Sequence, residues 1–295
     1  LDLVERSGVK PPAFAYAAPE SLDETLVLLR EHGDDAKILA GGQSLVPMMN
    51  FRMAQPSVLV DIGRVPGLDA ISAGDGALTI GAMARQAAVE ASAEVAAACP
   101  VIKQASRHIG HVATRARGTF GGSAAHADPA AEIPSLLCAL DATITVRGSR
   151  GDRVIAADDL FEGYFTTALT PDEVLTEITI PASSATRAAF LEVARRHGDF
   201  ALVSVAAAVR MNGATVTSAR IVLGGVADVP VRATDAEAAL AGAPLDDVRA
   251  VEAGRLAMTG LSPSSDIHAT GRYRTRTAGV LVERALKQIN NEIGG

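Results

Sequence analysis

Two runs of small residues in this 295-residue chain have the make-up of ligand-binding backbone. One is "KILAGGQSLVPMM", residues 37–49; the other lies within "IGHVATRARGTFGGSAAHADPAAEIPSLL", residues 109–137. Each carries a short apolar segment into a Gly-Gly pair, Gly41-Gly42 and Gly121-Gly122, with a serine close behind, Ser44 and Ser123. Glycine at a strand end permits positive φ and lets backbone N–H groups approach a ligand with no Cβ in the way. Successive N–H groups in such a turn form an anion-binding nest, and a serine hydroxyl adds a donor. One turn suits one phosphate, and two converging turns suit a pyrophosphate. Taken singly, each pair is as readily a tight turn with no ligand, and composition leaves both readings open.

The remaining chemical candidates are weaker. No Gly-Lys-Ser/Thr follows either run, so neither is a P-loop, and the absence of GxGxxG disfavours a Rossmann dinucleotide fold. His108, His111 and His126 fall close together, but no carboxylate or thiol stands at zinc-site spacing, which reads as loop or helix-surface histidine. No CxxC and no HExxH occurs. Cys99 and Cys138 sit in the apolar contexts "AAACPVI" and "SLLCALDA" and read as buried small side chains. Two thiols are too few for an iron–sulfur cluster, and no metal site is expected. His197 has no nucleophile or carboxylate relay around it, so Ser-His-Asp chemistry is not expected.

The elements that must position these runs follow from periodicity and caps. "SLDETLVLLREHG" (21–33) predicts a helix, with Ser21 and Glu24 at capping-box spacing and Gly33 at its end. "AKILA" (36–40), "SVLVDI" (57–62) and "ALTIGAM" (77–83) read as strands, and residues 84–117 alternate Ala-rich helical runs with turns. "IPSLLCAL" (133–140) is helical, "ATITVRG" (142–148) a strand, and "EVLTEITIP" (173–181) a strand closed by Pro181. Beyond Pro181 come three consecutive strands, "RAAFLEVARR", "ALVSVAAAVRM" and "ATVTSARIVLGGV". The last two are joined through Asn212-Gly213, a hairpin signal. Helical runs follow at about 233–241, 247–259 and 268–290. The organisation is α+β, with one boundary near residue 182 and a softer one near 63.

Composition bounds the function class. At 48% hydrophobic and 21% charged residues the chain reads as an ordinary globular protein, long enough for two or three domains. With a net charge of −7 and scattered Lys and Arg it carries no electrostatic footprint for nucleic acid. No apolar run approaches the ~20 residues of a membrane-spanning helix. The opening "LDLVERSGVK" has no signal-peptide core, so a cytoplasmic location is expected. "VKPPAFAY" looks a more natural start, and residues 1–8 read as an upstream extension.

Three long strings carry a resemblance. "ILAGGQSLVPMMNFRMAQPSVLVDIGRV", "TFGGSAAHADPAAEIPSLLCALDATITV" and "FLEVARRHGDFALVSVAAAV", in this order, resemble the FAD-binding medium subunit of the molybdenum hydroxylases. That family includes carbon monoxide dehydrogenase, xanthine dehydrogenase and the bacterial N-heterocycle hydroxylases. The likeness runs from Pro11 to about Leu286. It implies a split, non-Rossmann FAD-binding fold of two subdomains, 1–62 and 63–181. A C-terminal α+β domain, 182–295, with a three-stranded antiparallel meander and helices, completes it.

The resemblance also assigns residues. Lys37, Leu39, Ala40, Gly41, Gly42, Gln43 and Ser44 belong to one half of a cradle for the FAD pyrophosphate, and Thr119, Phe120, Gly121, Gly122 and Ser123 to the other. Glu132 stands where the family usually places an Asp that hydrogen-bonds a ribityl or ribose hydroxyl. Asp128 is the neighbouring alternative, with a competing role as a turn former before Pro129. In the third string Asp199 matches an acidic position, Arg195 and Arg196 face either reduced flavin or solvent, and Glu192 replaces the Lys of some relatives. Tyr164 is the candidate for stacking on the flavin ring. Gly122→Asp is expected to abolish FAD binding and leave the fold largely intact.

The function implied is electron transfer. A large molybdopterin-containing subunit oxidises the substrate, a small subunit with two [2Fe–2S] clusters relays electrons, and the FAD of this chain passes them to an external acceptor. No side chain of this chain is needed as a general acid or base. Substrate specificity belongs to the large subunit, and the complex is expected to be a dimer of three-subunit units. The alternatives are a stand-alone flavoenzyme of the wider family, which would turn over substrate alone, and a flavin-free scaffold subunit.

Overall fold

The first helix shows how closely local chemistry sets the elements. The computed structural model describes residues 10–294; the extension read at residues 1–8 lies outside them. Helix α1 (Leu22–His32) begins where the Ser21 hydroxyl accepts the Glu24 N–H and the Glu24 carboxylate accepts the Glu20 N–H at 2.8 Å. It ends at Gly33, whose N–H returns to the Leu29 carbonyl. Leu29 then packs over a three-stranded sheet formed by β1 (Ala15–Ala17), β2 (Ala36–Leu39) and β3 (Val58–Asp61). Their order is β1-β3-β2 and both pairings are parallel.

A second sheet is antiparallel throughout. It contains β4 (Ile71–Gly74), β5 (Ala77–Gly81), β6 (Thr143–Gly148), β7 (Gly151–Ala156) and β10 (Glu173–Pro181), in the order β4-β5-β10-β6-β7. The helical stretch between β5 and β6 comprises α3 (Gln86–Ala91), α4 (Ala93–Ala98), α5 (Pro100–Ser106), α6 (Val112–Arg115), α7 (Phe120–His126) and α8 (Glu132–Ala139). Phe120, Ile133, Leu136 and Leu137 from these helices share a core with Ile80, Ile144 and Ile178 of the sheet. A short helix α9 (Ala157–Leu160) leads into a small hairpin, β8 (Phe161–Gly163) and β9 (Thr166–Thr167).

The third sheet is larger than the predicted meander. Strands β11 (Thr186–Ala194), β12 (Ala201–Asn212) and β13 (Thr215–Gly224) pair consecutively, and a two-residue β14 (Val231–Arg232) adds a fourth. Asn212 pairs with Thr215, so the turn residues are Gly213 and Ala214, one place later than the Asn-Gly reading. Gly213 supplies the positive φ, +59°, that such a turn needs. One face of this sheet packs on α10 (Thr234–Leu240), α11 (Asp247–Leu256) and α12 (Gly271–Gly294), which share a core with it. The other face sends Phe190, Ala206, Ala208 and Val222 into the core of the second sheet. Glu192 and Ser204 alternate onto that same inward face.

Candidate functional site

The first Gly-Gly run is a turn with donors to spare. β2 ends at Leu39 and the chain turns through 40–44 into α2 (Leu45–Asn50). Gly42 has φ +70°, a conformation L side chains rarely adopt, which accounts for the second glycine. The Gln43 side chain closes the turn by donating to the Gly41 carbonyl at 3.2 Å. Among the described residues, the backbone N–H groups of Gly41, Gly42, Gln43 and Ser44 meet no acceptor. Four consecutive free donors, at the start of a short helix, leave partial positive charge in one place.

The second run is not a turn, which corrects the sequence reading. Thr119 is the N-cap of α7, and Phe120 to Ser123 are helical. The four N–H groups here are already used. Phe120 donates to the Ala84 carbonyl at 2.9 Å, Gly121 to Ala82 at 3.0 Å, Gly122 to the Thr119 hydroxyl at 3.1 Å and Ser123 to the Thr119 carbonyl at 3.2 Å. A Cβ on Gly121 would fall 2.6 Å from the Ala82 α-carbon, so this glycine serves close packing of α7 on the segment after β5. The Gly122→Asp expectation changes accordingly. A Cβ there would sit 2.5 Å from the capping Thr119 hydroxyl, so that substitution also damages the helix start.

The two runs do converge. A Cβ on Gly41 would lie 2.5 Å from the Arg117 carbonyl oxygen and 2.7 Å from the Gly118 α-carbon, and one on Gly122 would lie 3.5 Å from the Ala40 side chain. Three residues that the sequence reading missed hold this contact, two through side chains and one through its backbone. Arg115, only 7% exposed, donates to the Glu90 carboxylate at 2.8 Å and to the carbonyls of Ile109 and Gly110. Arg85 donates to the Arg117 carbonyl, and the Gln86 N–H to the Gly118 carbonyl at 2.9 Å. A charged residue inside a Gly/Ala-rich segment was the one available signal for Arg115, and it looks the same as a solvated arginine. The third string arrives at the same segment, since a Cβ on Gly198 would lie 2.7 Å from the His111 ring.

The other predicted residues are dispersed around this contact. Lys37 is exposed on β2 and Leu39 half-buried at its end, its side chain beside Gly42. Asp128 accepts the Ala130 N–H at 2.9 Å, the turn-forming role, and burial raises its carboxyl pKa. Glu132, 4% exposed, is the first residue of α8; burial, then Glu192 and Asp128, push its carboxyl up to about 8. Glu192 pairs through one oxygen with His108 Nδ1 at 3.2 Å, while its other oxygen is buried without a partner. Tyr164 is 54% exposed in the β8–β9 connection. The next residue, Phe165, donates to the Ala127 carbonyl and stacks on His126 at 4.9 Å. Tyr164 therefore stands at the opposite end of α7 from the Thr119 cap, roughly 10 Å along the helix.

The remaining candidates have separate neighbours. Arg195 lies 2.9 Å from His268 Nδ1 and is exposed, as is Asp199. His108, His111 and His126 contact Glu192, Gly198 and Phe165 respectively. Cys99 and Cys138 are buried free thiols, pushed up to about 12 by burial. No described helix is long and apolar enough to cross a membrane.

A nest of free N–H groups joined to a glycine-started helix suits a dinucleotide, and the chain's likeness to known proteins says which. Residues 12–183 match the FAD binding domain in molybdopterin dehydrogenase, and residues 188–289 match the CO dehydrogenase flavoprotein C-terminal domain. The protein is a flavoprotein of the molybdopterin dehydrogenase class. The chain is 41% identical over 280 residues, 94% of its length and 95% of the relative's, to the 6-hydroxypseudooxynicotine dehydrogenase complex subunit alpha of Paenarthrobacter nicotinovorans. It is 37% identical to the carbon monoxide dehydrogenase medium chain of Hydrogenophaga pseudoflava, over 94% of this chain and 96% of that one. Its fold superposes on quinoline 2-oxidoreductase from Pseudomonas putida 86 with a TM-score of 0.91 at 40% identity, covering 96% and 99% of the two chains. The chain belongs to the family of FAD-binding medium subunits of the molybdenum hydroxylases. The residues present fit FAD: the four N–H groups of 41–44 that meet no acceptor are a donor set suited to a pyrophosphate.

Proposed function

We propose that this chain is the FAD-carrying electron-transfer subunit of a cytoplasmic three-subunit molybdenum hydroxylase, assembled as a dimer of heterotrimers. Its partners are a large molybdopterin subunit and a small [2Fe–2S] subunit. When bound, FAD takes electrons from the small subunit's clusters and delivers them to an external acceptor. The observation that carries this reading is the contact of the 40–44 turn with the 117–123 segment, with four donors left free on the turn.

The residues then divide the work. Gly41, Gly42, Gln43 and Ser44 hold the pyrophosphate through backbone N–H groups, with Lys37, Leu39 and Ala40 shaping the approach. Thr119, Phe120, Gly121, Gly122 and Ser123 form the opposing wall, where their role is packing and the helix start rather than donated N–H groups. Glu132 is the hydroxyl contact for the flavin's sugar chain and Asp128 shapes the turn before it. Tyr164 covers the ring. The chain divides in this reading into 1–62, 63–181 and 182–295; the junction of the two family matches between residues 183 and 188 supports the last boundary alone. Relatives named for 6-hydroxypseudooxynicotine, carbon monoxide and quinoline lie at 37–41% identity to this chain, which supports placing substrate choice on another subunit.

The test is electron delivery within the assembled complex. Chemically reduced small subunit is expected to bleach the visible band of the FAD on this chain faster than that of free FAD in the same buffer. Flavin that stays oxidised in an intact complex would refute the proposal.

A further inference from the structure

Helix α12 carries charge that its own fold leaves unmatched. Arg272, Arg274 and Arg276 open this 24-residue helix with no acidic residue in the first turn. That end of a helix favours anions and disfavours cations. Arg274 is turned inward, 8% exposed, and is bound by Asp266 at 2.6 Å and by the carbonyls of Leu202 and Gly225. Lys287, further along, is tied to Glu283 at 2.8 Å. Arg272 and Arg276 are exposed instead, and with Arg284 they line a groove of about 670 Å³ beside β11. Val193, Tyr273, Thr277 and Val280 also line it. None of these three arginines meets a carboxylate among the described residues, on a chain whose net charge is −7.

The spacing decides what kind of ligand fits. Arg272, Arg276 and Arg284 recur at intervals of four and eight with Val280 between them, so they form one ridge that winds about a third of the way around the helix while lining the groove. First to last, the row spans about 18 Å at 1.5 Å per residue. A phosphate-sized anion reaches one guanidinium or two neighbours and leaves the third unmatched. An extended polypeptide covers the same ~18 Å in five or six residues, and carboxylates along it meet the arginines in turn. β11 is the edge strand of its sheet, so among the described residues no further strand closes that side. A two-fold contact between copies through this face would bring two positively charged rows together, which disfavours the symmetric pairing.

We propose that the α12–β11 groove docks an extended acidic segment of another subunit of the complex, with Val193, Val280 and Tyr273 taking its apolar residues. The proposal rests on the reading of this chain as a subunit, and the experiment separates the two. Arg276→Glu with Arg284→Glu is introduced into the full chain and co-expressed with its partner subunits. Association is expected to weaken by about tenfold or more, most at low salt, while the flavin content of this chain is unchanged. Arg276→Lys with Arg284→Lys keeps the charge and is expected to retain most of the binding. In the purified complex, Thr277→Cys carrying a cysteine-reactive cross-linker is expected to join an acidic peptide of a partner subunit. Unchanged assembly of the charge-reversed chain, or cross-links solely to a second copy of this chain, would overturn the groove assignment. Failure of the unsubstituted chain to form any complex would overturn the subunit reading, and this proposal with it.

Discussion

Replacing Glu132 by glutamine is expected to make this protein more stable, and increasingly so as pH rises. Its carboxyl is buried at the start of α8, faces Glu192 and Asp128, and has its pKa raised from 4.5 to about 8. His108 is engaged by Glu192 instead. Between those two pH values the folded chain keeps a proton that the unfolded chain has released. Stability from this group is thus fully present below pH 4.5 and falls through the window up to about pH 8, by about 1.4 kcal/mol per unit. The whole window amounts to a ceiling of about 5 kcal/mol, and relaxation around an ionised carboxylate brings the expected effect to about 2–4 kcal/mol. Glutamine keeps the shape and carries no titratable proton. Urea unfolding of the flavin-free chain should show wild type and Glu132→Gln nearly level at about pH 5 and diverging in favour of the variant by about pH 9. Two curves separated by a constant offset across that range would refute the buried-pair account. If FAD donates a hydroxyl to Glu132, adding it will flatten the wild-type slope, because a donor to the carboxylate lowers its pKa.

Other substitutions probe the cradle from its separate parts. Ser44→Asp places a carboxylate among the unpaired N–H groups and should weaken FAD binding about a hundredfold, while an acidic N-cap leaves the melting temperature level or higher; an unchanged affinity would contradict the nest. Gly41→Ala forces a Cβ to within 2.5 Å of the Arg117 carbonyl, and should cost about 1–3 kcal/mol of stability together with FAD affinity. Arg115→Met strands Glu90 and two carbonyls, so hydrogen exchange across residues 109–118 should accelerate and stability should drop by about 2–4 kcal/mol. Tyr164→Ala, at an exposed position, should leave the melting temperature alone and raise flavin fluorescence; no spectral change would remove Tyr164 from the ring site.

What the residues disclosed in advance was local. Ser21, Glu24 and Gly33 marked both ends of α1 because capping is settled within one turn of chain. The long strands β10, β12 and β13 showed because their apolar runs are continuous or alternating. β1, of three residues, and β14, of two, carry no pattern of their own and exist through their partners Val58–Val60 and Val222–Leu223. The α7 start defeated propensity, since Gly-Gly disfavours helix; Thr119 and the fit of Gly121 against Ala82 impose it. Of the site, the two glycine runs were legible as types and spacing. Their contact was not, because Gly41 and Gly118 meet across 77 positions only through the parallel sheet and the α6–α7 stretch. Glu132 and Glu192 were both noticed singly, one as a hydroxyl acceptor and the other as a missing lysine. That they face each other depends on which way β11 alternates, which only the packed sheet reveals.

The most direct test of the central claim is the visible spectrum of the purified chain, recorded before and after adding FAD, with the released cofactor identified by chromatography. The account predicts a bound-flavin spectrum, one FAD per chain, and FAD rather than FMN released, since it assigns the pyrophosphate to the 41–44 donors. A protein that stays colourless with FAD, and is not stabilised by it alone or in complex with its partner subunits, would contradict the account.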